Sequence, residues 1–289
     1  MKVTILGAGT MGASIAQLAA TAGDDVVVRD IGAEQLQRGR DAAQRSLARF
    51  VKAGRLSDDE AAAALGRIAF TTEVAQAVDG ADVVIESITE VRALKEELLS
   101  EVAERAPAGA LLGTNTSQLS ITSLAASMGD QAHRLVGIHF FNPPVMMRLV
   151  EVIAGLLTPP EVVERAKAFG EHVGRQVVVC RKDSPGFITS RAYAILRLEC
   201  MRMLEEGVAT PEDIDTAMKL GFNFPMGPLE LGDMNGLDTF LNALNGLSDA
   251  YGDRFQPTVG LKNMVAAGRI GRKAGGGFYD YDADGRRAQ

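Results

Sequence analysis

A glycine-rich turn between a short apolar segment and a helical segment constrains the fold of this 289-residue chain more than any other feature. Lys2–Leu6 alternates into an apolar strand, residues 7–12 have the form G-x-G-x-x-G, and residues 13–21 have a helical pattern that ends at Gly23. Asp25–Arg29 favours a second strand. A strand, a glycine turn, a helix and a strand in this order predict a βαβ unit with a parallel sheet.

The glycine turn also predicts a binding site for a dinucleotide. In such a turn the first glycine permits a tight bend, the second lets backbone approach a pyrophosphate, and the third lets the helix and strand pack closely. Asp30 ends the second strand about 20 residues after the motif begins, where a carboxylate accepts hydrogen bonds from a ribose 2′-hydroxyl and repels a 2′-phosphate. NAD is therefore favoured over NADP, although a neighbouring Arg29 that points to the same place would tolerate NADP. The residues expected to contact the cofactor here are Gly7, Ala8, Gly9, Thr10, Met11, Gly12 and Asp30.

Strand and helix patterns continue to alternate through the first two thirds of the chain. Further strands are predicted at residues 68–71, 82–87, 110–114, 135–141, 149–153 and 176–179, with helices at 33–52 and 91–105. After residue 179 the pattern changes to helical segments at 190–206 and 211–220, and Pro185-Gly186 breaks the chain. We therefore expect an α/β protein: a doubly wound Rossmann-type domain over residues 1–183 and a helical domain over residues 184–289.

The composition narrows the classes of partner and of cellular location. The chain has 37 acidic residues against 30 basic ones, so no broad nucleic-acid surface is expected. The N-terminus lacks a basic leader followed by a long apolar run, and no uncharged run reaches the roughly 18 residues of a membrane helix. A soluble cytoplasmic protein is expected. Cys180 and Cys200 are too few for a disulfide framework or a cysteine-rich metal site.

Two of the predicted strands carry a histidine and a glutamate that can face each other. If residues 135–141 and 149–153 form an antiparallel pair centred near Val145, His139 lies opposite Glu151, with Cβ atoms roughly 5 Å apart. Glu151 would then hold one imidazole nitrogen, and the other nitrogen would accept a proton from an alcohol during hydride transfer. The residues alone leave open a second interpretation, an ion pair that only joins two strands.

A polar segment follows the strand that ends at Thr114. Ser117 lies in this segment, on the carboxyl edge of the sheet, where open α/β sheets bind their ligands. Its hydroxyl could bond a reacting oxygen, although serine is also an ordinary turn residue.

The sequence resembles the 3-hydroxyacyl-CoA dehydrogenase family along essentially its whole length. The blocks that carry the resemblance are the glycine motif at 7–12, Thr-Asn-Thr-Ser at 114–117, Gly-Ile-His-Phe-Phe-Asn-Pro at 137–143, Leu-Val-Glu-Val-Ile at 149–153, Asp-Ser-Pro-Gly-Phe at 183–187, the segment 212–218, Pro-Met-Gly-Pro at 225–228, and Gly-Arg-Lys at 271–273 leading to Gly-Phe-Tyr at 277–279.

This resemblance implies roles for the candidate residues. His139 is expected to be the catalytic base, Glu151 its partner, Ser117 a contact to the substrate oxygen and to the cofactor, and Asn142 a supporting polar residue beside the site. It further implies NAD contacts by Glu90, Lys95 and Lys273, each of which would otherwise be interpreted as a solvated surface charge.

The resemblance also implies contacts to the CoA part of an acyl-CoA substrate. The family binds CoA partly through a helical arm that corresponds to residues 33–66, and Ser46 lies at the matching serine position. Lys52 lies one residue before the place where relatives have a lysine, which is Ala53 here; Lys52 is equally well interpreted as an exposed helix-end cation. Ser190 stands where family members usually have Asn, and it could still bond the substrate carbonyl.

The expected reaction is oxidation of (S)-3-hydroxyacyl-CoA, such as 3-hydroxybutyryl-CoA, to 3-ketoacyl-CoA with NAD, as in fatty acid β-oxidation. The family also implies a homodimer through the helical domain. Two alternatives remain: a dehydrogenase of the same fold acting on a free hydroxy acid or sugar acid, and a non-catalytic NAD-binding protein.

Overall fold

The computed structural model describes residues 1–288 and divides the chain into two compact units between Ser184 and Pro185. The first unit is built on one eight-stranded sheet with the strand order β3-β2-β1-β4-β5-β6-β7-β8. The strands are β1 Lys2–Leu6, β2 Asp25–Arg29, β3 Ile68–Thr71, β4 Val83–Glu86, β5 Leu111–Thr114, β6 Leu135–Phe140, β7 Leu149–Ile153 and β8 Gln176–Cys180. Neighbouring strands are parallel except β6 and β7, which are antiparallel.

Helices cover this sheet and bury its apolar strands. The helices of the first unit are α1 Thr10–Thr21, α2 Ala33–Lys52, α3 Asp58–Gly66, α4 Val74–Val78, α5 Arg92–Arg105, α6 Ile121–Ala126 and α7 Pro160–His172, with a 3₁₀ turn at Gly129–Arg134. The central strands are the most buried: every residue of β4, β5 and β6 is buried. Strands covered on both faces have continuous apolar runs, as β4 has at residues 83–85 and β5 at residues 111–112.

The second unit is helical. Its helices are α8 Thr189–Glu205, α9 Pro211–Phe222, α10 Pro228–Asn235, α11 Leu237–Tyr251 and α12 Val259–Ala266, with 3₁₀ turns at Asp253–Phe255 and Arg272–Ala274. Two buried acids tie its parts together. Asp215 accepts hydrogen bonds from the backbone N–H of Leu229 at 2.8 Å, and Asp233 accepts them from Phe278 and Tyr279 at 2.9 Å each. No helix of residues 1–288 is long and apolar enough to cross a membrane.

The predicted fold class, a Rossmann-type sheet followed by a helical region, is confirmed. Two local details differ. Helix α1 begins at Thr10 rather than at residue 13, because Gly9 is extended and serves as its N-cap inside the glycine motif. The arm at 33–66 is two helices, α2 and α3, since Ser57 and Glu60 form a capping box that starts a new helix.

Candidate active site

The glycine motif forms a turn that only glycine can make at two of its positions. Gly7 has a φ of 109°, and a Cβ added there would lie 2.6 Å from the carbonyl oxygen of Ser87. A Cβ at Gly12 would lie 1.9 Å from the carbonyl oxygen of Gly7. Helix α1 begins inside the turn, so its first backbone N–H groups have no carbonyl partner within the helix. This arrangement fits a pyrophosphate, because such N–H groups and the helix dipole favour an anion.

Asp30 lies beside this turn with its carboxylate held by backbone groups. Oδ2 accepts a hydrogen bond from the N–H of Ala8 and Oδ1 one from the N–H of Ile31, both at 2.7 Å. Arg29 Nε donates to the carbonyl oxygen of Thr72 at 3.1 Å, and Arg29 also lines the cavity beside Asp30. This cavity has a volume of about 450 Å³, and Gly7, Asp30 and Ile31 help to line it. The Asp30 carboxylate there fits a ribose with a free 2′-hydroxyl.

His139 and Glu151 are direct partners in the antiparallel register of β6 and β7. His139 Nδ1 lies 2.8 Å from Glu151 Oε2. Glu151 is fully buried and His139 is 7% exposed, so the pair is largely shielded from bulk solvent. The ring of Phe141 packs against the imidazole with centroids 4.6 Å apart. A carboxylate that accepts from Nδ1–H fixes the tautomer in which Nε2 is the proton acceptor.

Lys95 and Glu90 belong to an ion-pair network that also contains Glu86; Lys95 and Glu86 are buried, whereas Glu90 is exposed. The Lys95 ammonium, which is 0% exposed, donates to Glu86 Oε1 at 2.6 Å and lies 3.3 Å from Glu90 Oε2. Glu86 additionally accepts hydrogen bonds from Thr114 Oγ1 at 2.6 Å and from the N–H of Ile88 at 2.8 Å. Glu86 is not among the residues predicted from the sequence, although an acid at the end of the apolar strand Val83–Glu86 is a signal for it.

Glu90 holds the loop that carries Ser117. Its Oε1 accepts hydrogen bonds from the Thr116 hydroxyl and from the N–H groups of Ser117 at 3.0 Å and Gln118 at 3.2 Å. Burial by itself raises the pKa of Glu90, but the charge of Lys95 and the hydrogen bonds from Thr116, Ser117 and Lys95 outweigh it and lower the pKa below its usual range. Glu90 therefore positions the loop as an ionised carboxylate.

A second cavity, of about 720 Å³, lies between the glycine turn, Asp30, α1, α2 and the loop that joins β6 to β7; we call it the arm pocket. Ser46 lines it, whereas Lys52 is exposed and is not among its lining residues. Three arginines line it instead, Arg38, Arg49 and Arg55, together with Gln17 and Ala53 among others. The amide oxygen of Gln17 is buried and accepts no hydrogen bond from residues 1–288. A cavity with this lining can take an anionic ligand that also offers hydrogen-bond donors.

For three residues, the surrounding structure neither supports nor contradicts the predicted contact to substrate or cofactor. Asn142 is exposed and precedes Pro143 through a cis peptide bond. In the second unit, the Lys273 ammonium lies 2.8 Å from Asp238 Oδ2, and Ser190 is half-buried in the first turn of α8. Their proposed contacts to substrate or cofactor stay predictions.

Comparisons with known proteins cover both units. A model of the 3-hydroxyacyl-CoA dehydrogenase NAD-binding domain matches residues 2–184, and a model of the 3-hydroxyacyl-CoA dehydrogenase C-terminal domain matches residues 186–281. A probable 3-hydroxybutyryl-CoA dehydrogenase of Deinococcus radiodurans is 42% identical over 282 residues, which cover 97% of this chain and 100% of the relative. A mitochondrial hydroxyacyl-coenzyme A dehydrogenase of Rattus norvegicus is 40% identical over 286 residues, 96% of this chain and 90% of the relative. The crystal structure of (S)-3-hydroxybutyryl-CoA dehydrogenase from Ralstonia eutropha matches with a TM-score of 0.93 at 40% identity, covering 97% of this chain and 99% of that one.

Proposed function

The chain belongs to the 3-hydroxyacyl-CoA dehydrogenase family, with NAD as its cofactor, and on that premise we propose that it oxidises (S)-3-hydroxyacyl-CoA thioesters with His139 as the base. The alcohol at C3 becomes a ketone. The substrate loses its hydroxyl proton and a hydride, so one 3-hydroxyacyl-CoA and one NAD⁺ give one 3-ketoacyl-CoA, one NADH and one proton.

The buried His139–Glu151 pair is the observation that carries this proposal. The imidazole accepts the hydroxyl proton while NAD⁺ supplies the hydride acceptor, and the Glu151 carboxylate stabilises the imidazolium that forms. An ion pair that only joins strands does not need to lie at the carboxyl edge of a nucleotide-binding sheet. His139 lies there, four residues before Pro143, the first residue of the β6–β7 loop that lines the arm pocket. In this proposal Ser117 bonds the substrate oxygen and Asn142 supports it.

The glycine turn and Asp30 hold the dinucleotide in this proposal. Glu90 and Lys95 act at the nicotinamide end, where Glu90 fixes the Ser117 loop and Lys95 keeps Glu90 ionised. Lys273 also contacts the cofactor in this proposal.

The arm pocket supports a CoA thioester over a free hydroxy acid. CoA carries three phosphate groups, and a pocket with three arginines among its lining residues fits them, whereas a small hydroxy acid needs no such cations. Ser46 hydrogen-bonds the same part of the substrate, and Lys52 contacts it at the rim. Ser190 bonds the acyl end.

The relatives' names favour short acyl chains such as 3-hydroxybutyryl. A role in fatty acid β-oxidation, assembly into a homodimer through the helical unit and a cytoplasmic location complete the proposal.

The test compares substrates on the purified full chain. NADH formation is followed with (S)-3-hydroxybutyryl-CoA, its (R) isomer and free 3-hydroxybutyrate, and NADH consumption with acetoacetyl-CoA. We expect turnover of the (S) thioester and of acetoacetyl-CoA only. Turnover of the free acid at equal efficiency, or NADH binding with no turnover of any thioester, would refute the proposal.

A further inference from the structure

Asn115, the first residue after β5, joins the ends of three strands through its side chain. Its Oδ1 accepts a hydrogen bond from the N–H of Phe140 at 2.8 Å, and its Nδ2 donates to Ser87 Oγ at 3.2 Å. Its own N–H donates to the carbonyl oxygen of Glu86 at 2.8 Å. The orientation of the amide is fixed by chemistry, because the N–H of Phe140 can only donate and therefore requires the amide oxygen.

The bond to Phe140 replaces a strand contact that β5 is too short to make. The last register pair between β5 and β6 is Thr114 with Gly137, but β6 continues to Phe140. On the side that faces β5, the N–H of Phe140 therefore has no backbone acceptor in the ladder, and the side-chain amide oxygen of Asn115 accepts its hydrogen bond instead. The residue so held directly follows His139.

These contacts extend a continuous line of bonds from the cofactor turn to the base. The N–H of Ser87 donates to the carbonyl oxygen of Leu6 at 2.7 Å, directly before the glycine turn, and Gly7 packs against the Ser87 carbonyl. Asn115 then connects Ser87 to Phe140. The Asn115 side chain thus extends the connection between the pyrophosphate turn and the catalytic strand end beyond the last backbone pair of β5 and β6.

We infer that Asn115 is a positioning residue that sets where the His139 imidazole stands relative to the bound substrate and cofactor. Glu151 fixes the rotation of the ring, whereas Asn115 fixes the strand end that carries it. The inference rests on the proposed role of His139 as the base. A misplacement of about 1 Å in such a group lowers turnover up to about a hundredfold without weakening the binding of a ligand held elsewhere.

The experiment uses Asn115→Leu, which keeps the side-chain size and removes both bonds, and Asn115→Asp, which keeps an acceptor for Phe140. The Ser87 hydroxyl can turn to donate to the second carboxylate oxygen of the Asp variant. Asn263→Leu, the same change on the exposed face of α12, is the matched control. Each protein is measured for kcat and KM with acetoacetyl-CoA, for NADH affinity by fluorescence, and for exchange of the Phe140 amide hydrogen by NMR.

We expect the Leu variant to lose at least about tenfold in kcat with NADH affinity changed less than about twofold, and the Asp variant to recover most of that loss. Exchange of the Phe140 amide should accelerate in the Leu variant only, while that of Ile138 stays unchanged. The inference would be overturned if the Leu variant kept the wild-type kcat, or if the Asp variant lost as much kcat as the Leu variant. A loss of NADH affinity without a loss of kcat would also overturn it. If the Leu variant does not fold, Asn115→Ser, whose hydroxyl is too short to reach Phe140, takes its place with the same expectations. If the wild-type protein turns over no thioester, the proposed function is refuted. Exchange of the Phe140 amide still tests the bond from Asn115 in that case, because this measurement needs no turnover.

Discussion

His139 and Glu151 stand directly opposite each other on the only antiparallel strand pair of the described sheet, with Nδ1 and Oε2 2.8 Å apart. Directly opposed residues on one face of such a pair have Cβ atoms about 5 Å apart, which leaves room for one hydrogen bond between side chains of this length. The ladder between β6 and β7 fixes the positions of the two Cβ atoms, and the burial of both residues limits the space into which either side chain can rotate. The geometry of the proposed acid–base pair is therefore a property of the sheet itself.

The first prediction concerns the imidazole. His139→Gln keeps a group that can bond Glu151 but cannot accept the hydroxyl proton, so kcat with acetoacetyl-CoA should fall at least about a hundredfold. NADH affinity, measured by fluorescence titration, should change little because the glycine turn is untouched. Retention of more than a tenth of the wild-type kcat would show that another group is the base.

The second prediction concerns the carboxylate. Glu151→Gln preserves an acceptor for Nδ1–H but removes the negative charge that stabilises the imidazolium, so kcat should fall about tenfold or more, with KM for NADH unchanged. Glu164→Gln, which removes an exposed glutamate on α7, is the matched control. Equal activity of the Glu151 and Glu164 variants would contradict a role for the charge.

The sequence predicted all eight strands, but it did not predict helices α4, α6, α7, α10, α11 and α12, and it predicted contacts unevenly. Two short apolar runs predicted β6 and β7, and an antiparallel pairing centred near Val145 placed His139 opposite Glu151, as the register shows, because the length of one connecting loop sets which residues pair. Glu86 and Asn115 were not singled out as functional residues. Glu86 bonds Thr114 of β5 as well as Lys95 of α5, and Asn115 bonds Phe140 of β6, and these strands adjoin only in the sheet order β4-β5-β6. Pairing between strands far apart in the chain depends on the tertiary fold, which the pattern of one segment does not encode.

The third prediction concerns the choice of cofactor. Asp30→Ser removes the charge that repels a 2′-phosphate, so the ratio of kcat/KM for NADPH to that for NADH should rise at least about tenfold. The N–H of Ala8 loses its carboxylate acceptor in this variant, and NADH efficiency should fall as well. An unchanged ratio in steady-state kinetics with the two reduced cofactors would mean that discrimination lies elsewhere.

The fourth prediction concerns the pH dependence of stability through Glu90. Because its pKa is lower in the folded protein than in the unfolded chain, Glu90 stabilises the fold above the unfolded pKa, and this contribution is lost as pH falls through the folded pKa. Glu90→Gln should therefore lower the free energy of unfolding at pH 7, and the difference from wild type should shrink as pH falls below about 4.3. Urea unfolding at a series of pH values measures both curves, and curves that stay parallel would refute the assignment.

The fifth prediction concerns the arm pocket and separates its arginines from Lys52. Arg49 and Arg55 line the pocket, and Arg55 is placed by contacts with Met146 and Phe50. Arg49→Met and Arg55→Met should each raise KM for acetoacetyl-CoA about fivefold to tenfold by removing a cation for the CoA phosphates, with kcat little changed. KM for acetoacetyl-pantetheine, which lacks those phosphates, should not change.

The controls for this prediction lie on the same helix. Arg45→Met makes the same change at an exposed residue of α2 that is not among the pocket lining, and it should leave both KM values unchanged. Lys52→Met tests whether a cation at the rim, predicted from the sequence, contributes as much as those that line the cavity. Because direct contact in a lined cavity excludes more water than contact at the rim, the Lys52 effect should be smaller than that of either arginine. A larger effect of Lys52, or an equal rise in KM for the pantetheine thioester, would place the phosphates outside the pocket.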